Sequence, residues 1–181
     1  MGQRRYVLVD RDGVINDDSD DFIKSPEEWR PIEGSLEAIA LLNQQGYDVV
    51  VITNQSGLAR GLFDEAMLTK IHEKMHRMLA DKGGEIVKIY YCPHGPGSLC
   101  DCRKPKPGLF ERFALEKNVD LKSICFVGDS LRDVQAAQAV GAIPLLVKTG
   151  KGQLTLVNNP NLNIPVFENL YGAAQYLVSK Q

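Results

Sequence analysis

The sequence predicts an α/β fold in which helices cover both faces of a parallel, doubly wound sheet. Strand-like runs alternate with segments of three-to-four-residue apolar spacing, which is typical of repeated βαβ units. The first run, 6–10, is apolar without polar alternation and therefore favours burial on both faces of a sheet. With 181 residues and 44% apolar content, one sizeable core is possible, so we expect a single domain over 1–181.

The predicted elements follow one another in a regular order. Ser35 and Asp64 are expected to cap the first two helices, Gly46 to end the first, and Pro107 to open the third. The intervals 16–35 and 53–87 are too short for a large cap domain, so small loops must shape any pocket. Strands are expected at 6–10, 48–53, 87–92, 123–129 and 143–147, helices at 35–45, 64–81, 107–118 and 131–140, and a last strand and helix within 166–177.

Charge and hydropathy limit the classes of partner. The net charge of −2 at pH 7 gives no overall basic surface for nucleic acid or for an anionic membrane. Residues 1–6 lead into the first strand without an apolar signal segment, and no apolar run reaches the roughly 18 residues of a membrane helix. We therefore expect a cytoplasmic protein, and a monomer, because no coiled-coil or extended apolar stretch is present.

Two acids follow the first strand directly. Ligands of parallel sheets bind beyond the carboxyl ends of the strands, where Asp10 and Asp12 stand. Because side chains alternate along a strand, both acids are expected on one side, with Arg11 pointing away. Two close carboxylates need a cation or a shared proton, and both are catalytic devices. The alternative is a plain polar loop.

The ends of the other strands carry further polar groups. Thr53 and the next three residues offer donors to an anion, and Lys104 precedes a helix start. Asp129 could complete a hard-cation site with Asp10, and Asp133 lies one helical turn further on. Taken singly, each group also fits an ordinary role: a turn, a solvated basic loop or a helix N-cap.

The chain resembles the haloacid dehalogenase superfamily of phosphotransferases, whose four motifs follow in the same order. In this chain they are Asp-x-Asp-Gly, a Thr at a strand end, a Lys before a helix, and Gly-Asp-x-x-x-Asp. That resemblance implies a Rossmann-like core. It also implies that Asp10 is the nucleophile and that Asp12 is the acid and base. Thr53 and Lys104 would bind the transferring phosphoryl group. Mg²⁺ would be held by Asp10, the backbone carbonyl of Asp12 and Asp129, with Asp133 in support.

The segment 92–102 contains four potential metal ligands, Cys92, His94, Cys100 and Cys102. Four soft or borderline ligands suit a closed tetrahedral zinc site, whose role is structural. The alternative is a set of incidental reduced thiols. Because Arg103 and Lys104 follow directly, zinc would make the segment that presents both cations rigid.

The chain resembles the bacterial D-glycero-D-manno-heptose 1,7-bisphosphate 7-phosphatases in four segments: Asp-Arg-Asp-Gly, Thr-Asn-Gln-Ser-Gly, the zinc loop 92–102 and Cys-Arg-Lys-Pro. These enzymes act in the pathway to lipopolysaccharide core or to nucleotide-activated heptose. The sequence leaves open which C1 anomer is preferred and hence which of these pathways is served. The implied substrate is a small phosphorylated sugar. Arg103 would recognise its distal phosphate or its sugar. The other implied substrate-binding residues are Asn54, Gln55 and Ser56 in the pocket, and Asp18, Ser19, Asp20 and Asp21 near the sugar hydroxyls.

Two alternative functions remain open at this point. The related histidinol-phosphate phosphatases share the pattern, and a catalytically inactive, zinc-stabilised binding domain could retain the fold. Ser130 stands where some relatives have lysine. Arg60 follows the segment 53–57, which offers donors to a phosphate, and could reach substrate. His72 and His76 are more typical of a helix surface than of a metal site, and Trp29 is more typical of packing than of sugar binding.

Overall fold

The computed structural model describes residues 5–180. Residues 1–4 and 181 of the expected domain, and most of the segment from which an absent signal sequence was inferred, lie outside the described part. The strands are β1 (Arg5–Val9), β2 (Tyr47–Asn54), β3 (Lys88–Cys92), β4 (Cys125–Gly128), β5 (Ile143–Val147) and β6 (Val166–Phe167). The helices are α1 (Ser35–Gln44), α2 (Glu65–Ala80), α3 (Gly108–Lys117), α4 (Leu131–Ala139), α5 (Gly152–Asn158) and α6 (Leu170–Ser179), and a short 3₁₀ helix covers Leu121–Ser123.

All six strands pair in parallel in the order β3-β2-β1-β4-β5-β6. This order reverses direction between β1 and β4, and ligands of doubly wound sheets bind at such a switch point. The predicted α/β fold is therefore confirmed. We therefore expect the functional site at the edge of the sheet where β1 and β4 end.

Burial on both faces explains the continuous apolar run of β1. Val7 and Val9 belong to the core that α1, α2 and α6 cover, whereas Leu8 belongs to the core beneath α3 and α4. All three side chains are fully buried. Because each residue from Val7 to Val9 meets one of two apolar layers, no position in that part of β1 favours a polar side chain.

The predicted helix boundaries are confirmed at some positions and wrong at others. The Asp64 side chain accepts a hydrogen bond from the backbone N–H of Met67 at 2.8 Å and so caps α2. Ser35 does not cap α1, because Gly34 occupies that position and the Ser35 hydroxyl donates to the carbonyl of Ile15 at 2.6 Å. The serine instead fastens the loop after β1 to the helix.

Helix α5 was not expected from the sequence. Its buried positions are Gly152 and Thr155, while Leu154 and Val157 are exposed, so the buried face lacks the apolar periodicity that predicts a helix. Among residues 5–180, no helix is both long and apolar enough to cross a membrane. The long connection between β1 and α1 contains neither a helix nor a named strand, as the expectation of small loops requires.

Candidate active site

A polar cavity of about 280 Å³ opens where β1, β2 and β4 end. Most of the predicted site residues meet there. Asp21 is exposed and is not part of the lining. The predicted residues that line the cavity are Asp10, Asp12, Asp18, Ser19, Asp20, Thr53, Asn54, Gln55, Ser56, Arg103, Lys104, Asp129 and Asp133, together with Arg60 and Ser130.

Lys104 is the central cation of this cavity. Its ammonium lies 3.0 Å from the Asp10 carboxylate, 2.9 Å from that of Asp133 and 2.8 Å from the carbonyl oxygen of Ile52. Only 2% of the side chain is exposed. Burial alone would lower the pKa of Lys104, but the two carboxylates outweigh it and raise that pKa, so the ammonium stays charged.

Asn54 fixes the backbone of Lys104 at two points. The Asn54 amide nitrogen donates to the carbonyl of Lys104 at 3.1 Å, and the amide oxygen accepts from the N–H of Lys104 at 3.0 Å. The end of β2 is thereby bonded to the segment that follows the cysteine-rich loop. Asn54 was predicted to line the pocket, which it does, but both ends of its amide are occupied by this backbone.

Asp129 and Asp133 are buried together at the start of α4. One Asp133 oxygen accepts from the backbone N–H groups of Asp129 and Ser130 and from the Ser130 hydroxyl, at 2.9–3.1 Å. Hence the helix-capping alternative applies to Ser130 and Asp133, whereas Asp129 stays directed at the cavity. Gly13 packs so closely that a Cβ there would lie 2.0 Å from an Asp129 oxygen, and its φ of +80° also requires glycine.

Asp12 is held by three side chains that the prediction did not assign to it. Arg11 donates to its carboxylate at 2.9–3.2 Å, Asn16 at 2.9 Å and Gln55 at 2.9 Å. The expectation that Arg11 points away is wrong, because β1 ends at Val9 and strand alternation no longer applies. Burial raises the pKa of Asp12, but Arg11 and the two amide donors outweigh it and lower that pKa overall.

Gln55 connects Asp12 to the end of β2. Its amide nitrogen also donates to the Thr53 hydroxyl at 3.0 Å, and its oxygen accepts from Arg11 at 3.2 Å. The Arg11 guanidinium, which bonds to both Asp12 and Gln55, also contacts a ring nitrogen of His72 at 3.1 Å. Since burial and Arg11 lower the pKa of His72 to about 3, its ring is neutral and accepts this bond.

The carboxylates of the site form a donor set that fits a hard divalent cation. Oxygens of Asp10, Asp129 and Asp133 lie within 4.8 Å of one another. Burial, followed by the charges of the neighbouring acids, raises the pKa of Asp129 to about 8, and burial raises that of Asp10 to about 7 despite Lys104. One ammonium, that of Lys104, does not neutralise three carboxylates, and oxygen ligands are those that Mg²⁺ prefers.

The predicted zinc ligands also come together. Ligand atoms of Cys92, His94, Cys100 and Cys102 all lie within 4.8 Å of one another. The sulfur atoms of Cys92 and Cys102 are 3.0 Å apart, and His94 Nδ1 lies 3.3 Å from the Cys102 sulfur. Three thiols and one imidazole in such a cluster fit a tetrahedral zinc site. Cys125 lies in β4 and is not part of the cluster.

Residues at the rim include several that sequence reasoning did not assign. Lys151 donates its backbone N–H to Asp129 at 2.8 Å, and its ammonium lies 3.4 Å from Asp18 and 3.6 Å from Asp20. Arg132 and Phe22 also line the cavity. Arg132 occupies the x-x-x segment of Gly-Asp-x-x-x-Asp, whose position in the first turn of a helix after a strand end was the available signal.

Comparisons with known proteins agree with this geometry. The family model described as HAD-hydrolase-like matches residues 101–173. A Pseudomonas aeruginosa protein named D-glycero-beta-D-manno-heptose-1,7-bisphosphate 7-phosphatase is 50% identical over 175 residues, which make up 97% of this chain and 98% of that protein. The chain belongs to this family of heptose-bisphosphate phosphatases. The predicted membership of the haloacid dehalogenase superfamily is confirmed.

Two crystal structures from the heptose-bisphosphate phosphatase family share the fold. That of the Bordetella bronchiseptica D,D-heptose 1,7-bisphosphate phosphatase, complexed with magnesium and phosphate, has a TM-score of 0.95 at 50% identity. The alignment covers 98% of this chain and 99% of that one. The Burkholderia thailandensis enzyme has a TM-score of 0.77 at 42% identity and covers 97% and 99%.

Proposed function

We propose that this protein is a Mg²⁺-dependent phosphatase that hydrolyses the 7-phosphate of D-glycero-β-D-manno-heptose 1,7-bisphosphate, in the supply of heptose for lipopolysaccharide core. The observation that carries the proposal is the cluster of the Asp10, Asp129 and Asp133 carboxylates beside Asp12, with Lys104 in contact with Asp10 and Asp133. Sequence reasoning left the anomer open. The names of the P. aeruginosa and B. bronchiseptica relatives specify the β form, which supports that choice.

Asp10 is the nucleophile of the proposed reaction. One of its oxygens forms a bond to phosphorus while the bond from phosphorus to the oxygen on C7 breaks, which gives an aspartyl phosphate. The backbone N–H of Arg11 donates to one Asp10 oxygen at 2.7 Å, and Lys104 contacts the other. These two contacts hold the carboxylate in one orientation, which supports in-line attack.

Asp12 transfers the proton in both half-reactions. It protonates the leaving oxygen and then removes a proton from the water that attacks the aspartyl phosphate, which releases inorganic phosphate and regenerates the Asp10 carboxylate. Arg11 keeps Asp12 ionised in the free protein, the form required of the base. The bound phosphoryl group adds negative charge beside Asp12 and raises its pKa, which favours the acid form in the first half-reaction.

Thr53 and Lys104 bind the transferring phosphoryl group in this proposal. The Thr53 side chain is buried at the end of β2 and its hydroxyl already accepts a bond from Gln55, so its own proton is free for a phosphoryl oxygen. Asp10, the carbonyl of Asp12 and Asp129 would hold Mg²⁺, with Asp133 in support. Bound there, Mg²⁺ supplies positive charge against that of the phosphoryl oxygens.

We also propose that Cys92, His94, Cys100 and Cys102 hold a structural Zn²⁺. Arg103 donates to the carbonyl of His94 at 3.1 Å, so its guanidinium is bonded directly to the zinc loop 92–102. Reduced thiols support a reducing compartment, and we propose a cytoplasmic monomer that binds neither nucleic acid nor membrane. Light scattering of the purified protein checks its mass, and metal analysis of untreated protein checks zinc.

The substrate is tested by ³¹P NMR of the purified protein with Mg²⁺. We expect the C7 phosphate resonance of the β anomer to disappear while the C1 phosphate remains, faster than with the α anomer or with histidinol phosphate. Faster cleavage of histidinol phosphate would instead favour the histidine-pathway alternative. No cleavage of any of them would favour the inactive binding domain. An Asp10→Asn protein is the matched control, since it retains the size of the side chain.

A further inference from the structure

Three arginines converge on the outer part of the cavity. Arg60 follows the end of β2, Arg103 follows the cysteine-rich loop, and Arg132 lies in the first turn of α4. All three line the cavity that contains Asp10 and Lys104. Arg60 and Arg132 are exposed, whereas Arg103 is half-buried. Three separate parts of the chain therefore deliver like charges to one opening.

These charges are not neutralised within the described part of the chain. Lys104, Arg11 and Lys151 each lie within 4.0 Å of an aspartate, but neither Arg60 nor Arg132 has a carboxylate partner among residues 5–180. The Arg103 side chain donates to the carbonyl of His94 and has no carboxylate partner among residues 5–180. Unpaired like charges at one place favour a bound anion.

Arg60 is also held in place. Its guanidinium lies 5.3 Å from the centroid of the Phe22 ring, within the range of a cation–π contact. Phe22 has a φ of +65°, which is unusual for a residue other than glycine, and it lines the same cavity. The loop after β1 thus supports an arginine from the loop after β2, across the opening.

We propose that Arg132 and Arg60 join Arg103 in binding the second phosphate of the substrate and so determine specificity for a bisphosphate. This inference rests on the function proposed above and identifies residues for its distal end. Guanidinium groups bind phosphate through paired hydrogen bonds, so three of them can surround one phosphate. A phosphate ester with a protonated amine at its far end, such as histidinol phosphate, would be repelled by the same charges.

The test compares two substrates that differ only in the second phosphate. For Arg132→Gln and Arg60→Gln, we measure kcat and KM with heptose 1,7-bisphosphate and with heptose 7-phosphate. Loss of one charged hydrogen bond predicts a fall of about 10- to 100-fold in kcat/KM for the bisphosphate, mainly through KM. The 7-phosphate should change by less than about threefold. Arg132→Lys, which keeps the charge, should retain a clear preference for the bisphosphate.

Arg77→Gln is the matched control, because Arg77 is exposed in the last turn of α2 and the substitution changes the net charge equally. Equal losses for both substrates in Arg132→Gln and Arg60→Gln would overturn the proposal. If the unaltered protein cleaves no heptose bisphosphate, the proposed function fails separately. Glucose 1,6-bisphosphate and glucose 6-phosphate then give the same comparison: a bisphosphate preference lost in Arg132→Gln supports the arginine site, and no preference overturns it.

Discussion

Replacing Lys104 with methionine removes the cation that bridges Asp10 and Asp133 while keeping an unbranched side chain of similar length. The Lys104 and Asp133 side chains are 2% exposed, and that of Asp10 is 13% exposed, so water screens the lost charge poorly. The carbonyl of Ile52 also loses its donor at 2.8 Å. Two buried carboxylates would then face each other without their shared ammonium, a change that is strongly destabilising.

Removing one partner of a buried ion pair costs about 3–5 kcal/mol. For a chain of this size, each kcal/mol lowers the melting temperature by about 2–4 °C, so we expect Lys104→Met to melt roughly 10 °C lower. Its phosphatase turnover should also be lost, because the phosphoryl group loses its buried cation. Urea and thermal denaturation without added Mg²⁺ measure the stability, so that no added cation replaces the missing charge and the proposed zinc stays bound.

Lys70→Met serves as the matched control, since Lys70 is exposed on α2. It should stay within about 0.5 kcal/mol of the unaltered protein, the usual range for a surface substitution. If Lys104→Met also stayed within about 1 kcal/mol, the bridging role of the ammonium would be refuted.

Three further substitutions test other parts of the site. Asn54→Ala removes both hydrogen bonds to the backbone of Lys104, so we expect a loss of about 1–3 kcal/mol in urea denaturation and a lower kcat; unchanged values for both would contradict the two-point contact. His72 has a pKa of about 3 in the fold against 6.5 in an unfolded chain, so its contribution to stability is complete above pH 6.5 and is lost as the pH falls towards 3. His72→Gln should therefore lose less stability over that range, as acid denaturation of both proteins will show. Cys100→Ala should lower both bound zinc and the melting temperature, and a protein with full zinc content would argue against this ligand set.

The architecture was predictable because its signals are local. The apolar run Val49–Ile52 reflects a strand that is buried on both faces of the sheet. The apolar spacing in α2 reflects a helix that buries one face. Helix α5 was missed because it buries Gly152 and Thr155, and such contacts leave no apolar period in the sequence. Ser35 was assigned to a cap because its partner, Ile15, is distant along the chain.

The site was predictable to the extent that each residue stands next to a strand end. Asp10, Thr53 and Asp129 follow from that rule, and the resemblance to a superfamily assigned their roles. The contacts of Arg11 and Gln55 were not predictable, since they depend on the turn that follows the end of β1 at Val9. The side chains that bond to Asp12 are determined by packing between β1, β2 and α2. The spacing of residues along one segment does not predict them.

A covalent intermediate at Asp10 distinguishes nucleophilic attack by this carboxylate from direct attack by water on the substrate. Protein mixed with β-heptose 1,7-bisphosphate and Mg²⁺ is quenched in acid within one turnover, and its peptides are analysed by mass spectrometry. We predict one added phosphoryl group on Asp10, which disappears in Asp10→Asn and accumulates in Asp12→Asn, where the base for the second half-reaction is missing. Phosphate release without a phosphoryl group on Asp10 at any time would exclude Asp10 as the nucleophile.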